Sequence, residues 1–325
     1  MKALLLAGGL GTRLRPLTFT RPKHLLPIAN RPHIEHICDL CLRHGISEVV
    51  LLTSYLAESF AAAVKTAELR GMNVEVTHEA EPLGTAGAIK NAEELVGSDS
   101  FLAMNADILT NADLGSLLAG HREHGAEATI LLTPVDDPSA FGVVPTDDEG
   151  GVLGFIEKPQ GVPPTNLINA GIYVLEPSIL TRIPAGEVWS AERQLFPGLV
   201  DEGAALYAFA THEYWTDIGT PEKYLQANVD ALEGRYTTDA VPAPAPGGVV
   251  AARDVKLGEG ARVSSACLGA GVVVEERAVV EHSVLLDEVI IGAGAVVRGS
   301  ILGSGVRVAP GAEIVDRTVA DSETL

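Results

Sequence analysis

The sequence is short of cysteine, of positive charge and of long apolar runs, and each shortage closes off a class of protein. Three cysteines in 325 residues are too few, and odd in number, for a disulfide framework, which points to a reducing compartment, the cytoplasm. Lysine and arginine number 23 against 43 aspartates and glutamates, a formal net charge of -20. A surface of that sign repels polyanions, so nucleic acid and anionic membrane are poor partners. No stretch approaches the roughly 20 consecutive apolar residues that a membrane span needs. The first apolar run, Ala3 to Ala7, stops at Gly8 and Gly9 and is too short for a signal-peptide core. The glycine cluster that follows lacks the Gly-Lys-Ser/Thr close of a P-loop and does not match the dinucleotide fingerprint G-x-G-x-x-G.

What is present suits a well-buried globular chain. Apolar residues make up 46% and the mean hydropathy is +0.22. The length exceeds what one core ordinarily holds, so a large domain and a smaller one are expected. Short apolar runs at Ala3–Leu6, Glu48–Thr53, Val74–Thr77, Phe101–Met104 and Ala128–Thr133 read as strands. Between them, Arg31–His44, Glu58–Leu69, Ala86–Leu95 and Leu114–His124 read as helices. The first of these carries Ile34, Ile37, Cys38, Cys41 and Leu42 on one face, with Gly45 as its stop. The alternation predicts an α/β domain with a mainly parallel sheet, whose ligands sit beyond the carboxyl ends of the strands. The same stripe makes Cys38 and Cys41 core residues rather than metal ligands, although His33, His36 and His44 lie nearby.

The composition breaks at Val241–Gly248, where three prolines alternate with alanine and two glycines follow. Such a stretch holds neither a helix nor a central strand, and the linker is placed at 239–250. Beyond it the period changes. Apolar residues at Leu257, Val263, Leu268, Val274, Val280, Leu285, Ile291, Val297, Leu302, Val308 and Ile314 are five or six apart, and any three consecutive steps sum to 17. That is a three-sided coil of hexapeptide repeats, a parallel β-helix. It holds little more than three coils, so its apolar ends need covering, which predicts a homo-oligomer or packing on the first domain.

The chemistry begins with Leu6-Ala-Gly-Gly-Leu-Gly-Thr-Arg-Leu-Arg-Pro-Leu-Thr18. Gly8, Gly9 and Gly11 let backbone N–H groups approach phosphate oxygens, and Arg13 adds a planar fork suited to phosphate. Taken alone, the cluster reads as an ordinary tight turn. It is followed in order by Arg21-Pro-Lys23, Leu26-Pro-Ile-Ala-Asn-Arg-Pro32, Glu81-Pro-Leu-Gly-Thr-Ala-Gly87, Asn105-Ala-Asp107, Phe141-Gly-Val-Val144, Glu157-Lys-Pro159, Ile168-Asn-Ala-Gly-Ile-Tyr173 and Trp215-Thr-Asp-Ile-Gly-Thr-Pro221. Through this ordered set, residues 1 to about 235 resemble the sugar-nucleotide pyrophosphorylase (nucleotidyltransferase) family.

The resemblance implies a Rossmann-like nucleotidyltransferase domain over 1–238 and a left-handed parallel β-helix over 251–325. It implies an enzyme that condenses a sugar 1-phosphate with a nucleoside triphosphate, releasing pyrophosphate, with Mg²⁺ on Asp107 and Asp217. Arg13 and Lys23 would hold the triphosphate, and Lys158 the sugar phosphate. The nucleotide would lie on Leu6, Ala7, Gly8, Gly9, Gly11 and Thr12, with its base near Glu81, Gly84 and Thr85. Gly142, Glu157 and Asn169 would face the sugar. On the residues alone, Asp107 is equally a cap, Asp217 the start of a turn, and the lysines and arginine solvated surface. Ala106 stands where many relatives have glycine.

Glu81 favours guanine, because a carboxylate accepts from N1–H and the exocyclic amine together. The segment 81–87 is similar to that of mannose-1-phosphate guanylyltransferases. The alternatives are a glucose-1-phosphate thymidylyl-, uridylyl- or adenylyltransferase, and an inactive sugar-nucleotide-binding regulator. The presence of Arg13, Lys23, Asp107, Lys158 and Asp217 together favours activity. His282, within the repeats, is alone too little to read as an acyltransferase site.

Overall fold

The computed structural model describes every residue except 55, 80, 160 and 242–245, so the middle of the expected linker lies outside the described residues. The chain gathers into two compact units, residues 1–9 with 37–215 and residues 10–36 with 216–325.

The first unit is built on one nine-stranded sheet. Its strands are β1 (Lys2–Leu6), β2 (Glu48–Thr53), β3 (Asn73–His78), β4 (Phe101–Asn105), β5 (Ala128–Pro134), β6 (Gly142–Val143), β7 (Ile156–Glu157), β8 (Leu167–Leu175) and β9 (Leu206–Ala210). They lie in the order β7-β6-β8-β4-β1-β2-β3, with β5 also on β8 and β9 on β5. The half β4-β1-β2-β3 is parallel, as the alternation of strands and helices leads one to expect. The other half is mixed: β8 runs antiparallel to β4, β5 and β6. The reason is in the connections. Between β5 and β8 the described chain has no helix to carry a parallel crossover, so its strands fold back on one another. Leu4, Val50, Leu52, Phe101, Ala103, Ile130, Tyr173 and Phe196 share one buried core.

Two helices differ from their expected extents. The segment 86–95 is two helices, Gly84–Asn91 and Glu93–Val96, separated at Ala92, whose φ of -97° and ψ of 12° interrupt the helix. The helix expected from Arg31 starts at His33, because Arg31–Pro32 pairs antiparallel with Pro27–Ile28. Its stripe is buried as expected at Ile34, Ile37, Cys38 and Cys41. Among the described residues no helix is long and apolar enough to cross a membrane.

In the second unit, residues 10–36 contain only short 3-10 turns at Thr12–Leu14 and Lys23–Leu25, the two-residue hairpin strands and the start of the His33 helix. Helix Pro221–Leu232 supports this segment. Tyr224 Oη donates to the Pro27 carbonyl at 2.7 Å, and Asn228 Oδ1 accepts from the Ala29 N–H at 2.9 Å. The parallel β-helix follows from Val249. Each strand pairs with one 17 residues on, as Val249 with Ala266, Val273 with Ile290 and Val296 with Glu313. Leu268, Val274, Val280, Leu285, Ile291, Val297 and Leu302 are wholly buried along its axis. Leu257, in the first coil, is instead 57% exposed.

Candidate active site

Of the first unit's expected residues, Leu6, Ala7, Gly8, Gly9 and Asp107 lie at the carboxyl ends of β1 and β4. Leu6 sits beside Asn105 in the parallel register, and Ala106 N–H donates to the Leu6 carbonyl at 3.1 Å. The chain leaving β1 through Ala7 and Gly8 thus runs next to the chain leaving β4 through Ala106 and Asp107. Ala7 N–H donates to Leu52 O at 2.8 Å, and Ser54 Oγ donates to Gly8 O at 2.5 Å. A Cβ at residue 8 would lie 3.1 Å from Ser54 Oγ, so glycine lets this turn pack tightly on its neighbour. Asp107 is half-buried and Gly9 exposed.

A side chain that sequence reasoning passed over lies against the same turn. Glu79 is 5% exposed, and its Oε2 would sit 3.7 Å from a Cβ at Gly8. Oε2 accepts from the Leu83 N–H at 3.3 Å. Burial pushes this carboxyl above its ordinary range, with the Leu83 hydrogen bond and nearby His78 opposing the shift. Glu81, two residues on, is exposed. No signal in the sequence separates the two, since both have the same parity along an extended segment. Among the described residues, the last backbone bond of this segment to the β2 strand is the one the Glu79 N–H donates to Thr53 O at 2.8 Å.

Gly84 and Thr85 open the helix Gly84–Asn91 beneath a second segment. A Cβ at Gly84, where φ is +73°, would meet the Trp189 carbonyl at 2.8 Å. Thr85 Oγ1 donates to Glu192 Oε2 at 2.8 Å and accepts from Ala191 N–H at 2.7 Å. The Glu192 carboxylate also accepts from Ser190 Oγ at 2.7 Å and from Tyr173 Oη at 3.3 Å. Asn169 joins this network, its Nδ2 donating to Tyr173 Oη at 2.8 Å while its Oδ1 accepts from Gly171 N–H at 2.9 Å. Thr85 and Asn169 are therefore held in one internal chain of hydrogen bonds. Glu192 is its hub, and no motif marks it.

Gly142 and Glu157 face each other across β6 and β7. A Cβ at 142 would lie 2.7 Å from the Phe155 ring and 3.1 Å from Glu157 Oε2. The next residue, Lys158, takes a positive φ of 50° while its N–H donates to Phe141 O at 2.9 Å. Its ammonium lies 3.9 Å from Glu157 Oε1 on an exposed side chain. The ring of Phe141 meets that of Trp215 edge-on at 5.8 Å, and Trp215 Nε1 donates to Ala170 O at 2.9 Å.

The second unit holds Gly11, Thr12, Arg13, Lys23 and Asp217. Gly11 is left-handed at φ +62°, its carbonyl accepting from Thr18 Oγ1 at 2.8 Å; a Cβ there would lie 3.1 Å from Lys23 Cβ. The Lys23 stem is thus packed on the glycine turn. Arg13 and Asp217 meet at Gly219, where a Cβ would sit 2.6 Å from Asp217 Oδ2 and 3.0 Å from Arg13 Nη2. Asp217 Oδ1 also accepts from the ammonium of Lys223. Lys223 was legible in principle. Thr220 caps helix Pro221–Leu232 by accepting from Lys223 N–H, and Pro221 takes the first helical position. That leaves the lysine at the third, where side chains turn back towards the cap. A cation there opposes the helix dipole and needs a local anion, which Asp217 supplies.

The two aspartates suit a divalent cation by their chemistry. Magnesium takes hard oxygen donors, ordinarily one or two carboxylates completed by substrate phosphates. Asp217 already holds a cationic group, the Lys223 ammonium, on its largely buried carboxylate. Asp107 follows a strand end, where ligands of such sheets bind.

A family model described as "Nucleotidyl transferase" matches residues 2–234, and one described as "GlmU-like, C-terminal hexapeptide" matches residues 250–324. The second is the repeat expected of a left-handed parallel β-helix. The mannose-1-phosphate guanylyltransferase of Mycobacterium tuberculosis is 39% identical over 297 residues, covering 86% of this chain and 82% of that protein. The mannose-1-phosphate guanylyltransferase catalytic subunit beta of Danio rerio is 41% identical over 229 residues, covering 69% of this chain and 63% of its own length. Among solved structures, HddC from Yersinia pseudotuberculosis complexed with GMP-PN superposes with a TM-score of 0.61 at 30% identity. It covers 70% of this chain and 97% of that one.

Proposed function

The chain belongs to the nucleotidyl transferase family, and on that footing we propose that it is a mannose-1-phosphate guanylyltransferase, joining mannose 1-phosphate to GTP with release of pyrophosphate. The observation that carries the guanine assignment is Glu79, a buried carboxylate against the Gly8 turn. An ionised carboxylate accepts from the two adjacent donors on the guanine edge, which an amide, carrying donors of its own, cannot do. Relatives named for this activity are 39% and 41% identical to the chain.

The reacting sugar phosphate is largely a dianion at neutral pH. Its oxygen attacks the α-phosphorus as pyrophosphate leaves in line, so the site needs positioning and charge neutralisation rather than a general base. Arg13 and Lys23, at the Gly11 turn, take the triphosphate and the departing pyrophosphate. Lys158 takes the sugar phosphate. Glu157, Asn169 and the backbone at Gly142 address sugar hydroxyls, and Leu6, Ala7, Gly9, Thr12, Glu81, Gly84 and Thr85 line the nucleotide. Asp107 and Asp217 hold Mg²⁺, which supplies neutralisation of charge on the phosphates.

The test is pyrophosphate release with each of five nucleoside triphosphates against mannose and glucose 1-phosphates, with and without added Mg²⁺. Release confined to GTP with mannose 1-phosphate, and abolished by EDTA, is the expected result. Release with another pair would overturn the substrate assignment, and binding of a nucleotide sugar without turnover would favour a regulator. We further place the protein in the cytoplasm, on the ground of its three free cysteines, and as a homo-oligomer, on the ground that Leu257, in the first coil of the β-helix, is itself 57% exposed. Light scattering that returns the 34.0 kDa monomer would refute assembly.

A further inference from the structure

We infer that Asp321, in the last coil of the β-helix, is a positioning residue for the loop that carries Lys23. The loop needs outside support. Between Leu14 and Pro27 its one regular element is the three-residue turn Lys23–Leu25, so little of its backbone is tied by its own ladder. On the amino side of Lys23 the support comes from the β-helix. Thr20 Oγ1 donates to Asp321 Oδ2 at 2.6 Å, and Arg21 Nη2 donates to the same oxygen at 3.2 Å and to Ser304 Oγ at 2.9 Å. Asp321 is itself fixed, since its Oδ1 accepts from the Ser304 N–H at 2.8 Å. Both of its oxygens are thus engaged, and the Arg21 contact is charge-assisted on a side chain only 19% exposed.

The hold passes to Lys23 through a stiff link. Pro22 is buried, its ring fixes φ at -59°, and it opens the Lys23–Leu25 turn. The stem of Lys23 in turn packs on left-handed Gly11. A shift of residues 20 and 21 therefore moves both the lysine and the phosphate-facing turn.

The β-helix contains its own control. Asp287 lies two coils earlier in the same register and makes the same internal bond, its Oδ1 accepting from Ala270 N–H at 2.8 Å. That bond is the coil's structural use of the aspartate. What Asp321 adds is the second oxygen, spent on Thr20 and Arg21.

The experiment compares Asp321→Asn with Asp287→Asn in the full chain. Asparagine keeps an oxygen for the internal bond and removes the charge that holds Arg21. Two quantities are read: amide hydrogen exchange over residues 18–26, and kcat with KM for GTP. Exchange is expected to rise in Asp321→Asn alone. The turnover consequence rests on the nucleotidyl-transfer reading; there, kcat/KM falls roughly tenfold to a hundredfold, as misplacement of a positioned group does. The fall is absent from Asp287→Asn, and Asp321→Glu recovers part of it. Unchanged exchange in Asp321→Asn overturns the inference whatever the turnover does, as does an equal rise in Asp287→Asn. A parent protein that transfers no nucleotide with any substrate pair defeats the proposed function instead, and the exchange data still decide the role of Asp321.

Discussion

Glu79 is buried to 5% exposure and bonded to a backbone N–H, yet burial still raises its pKa. The folded protein therefore bears a cost for keeping the charge, and a carboxylate held against its own solvation is worth reading as a ligand acceptor. Glu79→Gln separates that use from a structural one. The amide fits the same space without the buried charge, so the unfolding midpoint should not fall. Preference for GTP over UTP should drop by roughly tenfold to a hundredfold, the range for losing hydrogen bonds to a charged acceptor. Paired steady-state measurements on the two nucleotides check this. Undiminished GTP preference would move base recognition elsewhere, with Glu81 the next residue to test.

At the scale of elements, legibility followed periodicity. The β-helix was readable in its inner coils because a repeat of 17 forces each apolar position to recur, and Leu268, Leu285 and Leu302 stand in one buried column; at the first coil the pattern did not foretell that Leu257 is left exposed. The parallel half of the sheet was readable for the same kind of reason, since its strands alternate with helices. The antiparallel half was not. β6 and β7 are two residues each, too short to show any alternation, and they are set by pairing with β8 rather than by their own pattern. The candidate site divides similarly. Gly8 and Gly11 stand out as a glycine cluster leaving a strand and Gly142 only through the family resemblance, and each proves to stand where a Cβ would crowd a neighbour; Lys223 follows from the Thr-Pro-Glu-Lys start of its helix. Glu192 could not, because its role comes from Thr85, Ser190 and Tyr173 converging from three separate segments. Tertiary convergence leaves no local trace, whereas backbone requirements do.

For the whole molecule, acid stability turns on how its buried titratable groups are paired. His36 is 2% exposed within the second unit, its Nε2 donating to the Ile28 carbonyl at 3.0 Å. Its Nδ1 is left to accept from Tyr236 Oη at 3.3 Å and Thr238 Oγ1 at 3.2 Å, which is the arrangement of a neutral ring. Burial brings its pKa down from 6.5 to about 4, with nearby Arg31 acting in the same direction and Asp239 against it. Between those values the unfolded chain binds a proton that the folded one refuses, so stability rises with pH across the window. The contribution is complete above pH 6.5, declines as the pH falls towards 4, and levels off below. Its full span is about 3 kcal/mol, from the size of the shift. Urea titrations at pH 7, 6, 5 and 4.5 should show that decline in the parent. In His36→Gln the baseline will sit lower, because the packing around the ring is lost, but the fall between pH 6.5 and 4.5 should be shallower. An equally steep fall in the variant would shift the acid sensitivity to other groups, with the buried carboxylates and the remaining buried histidines the first to examine.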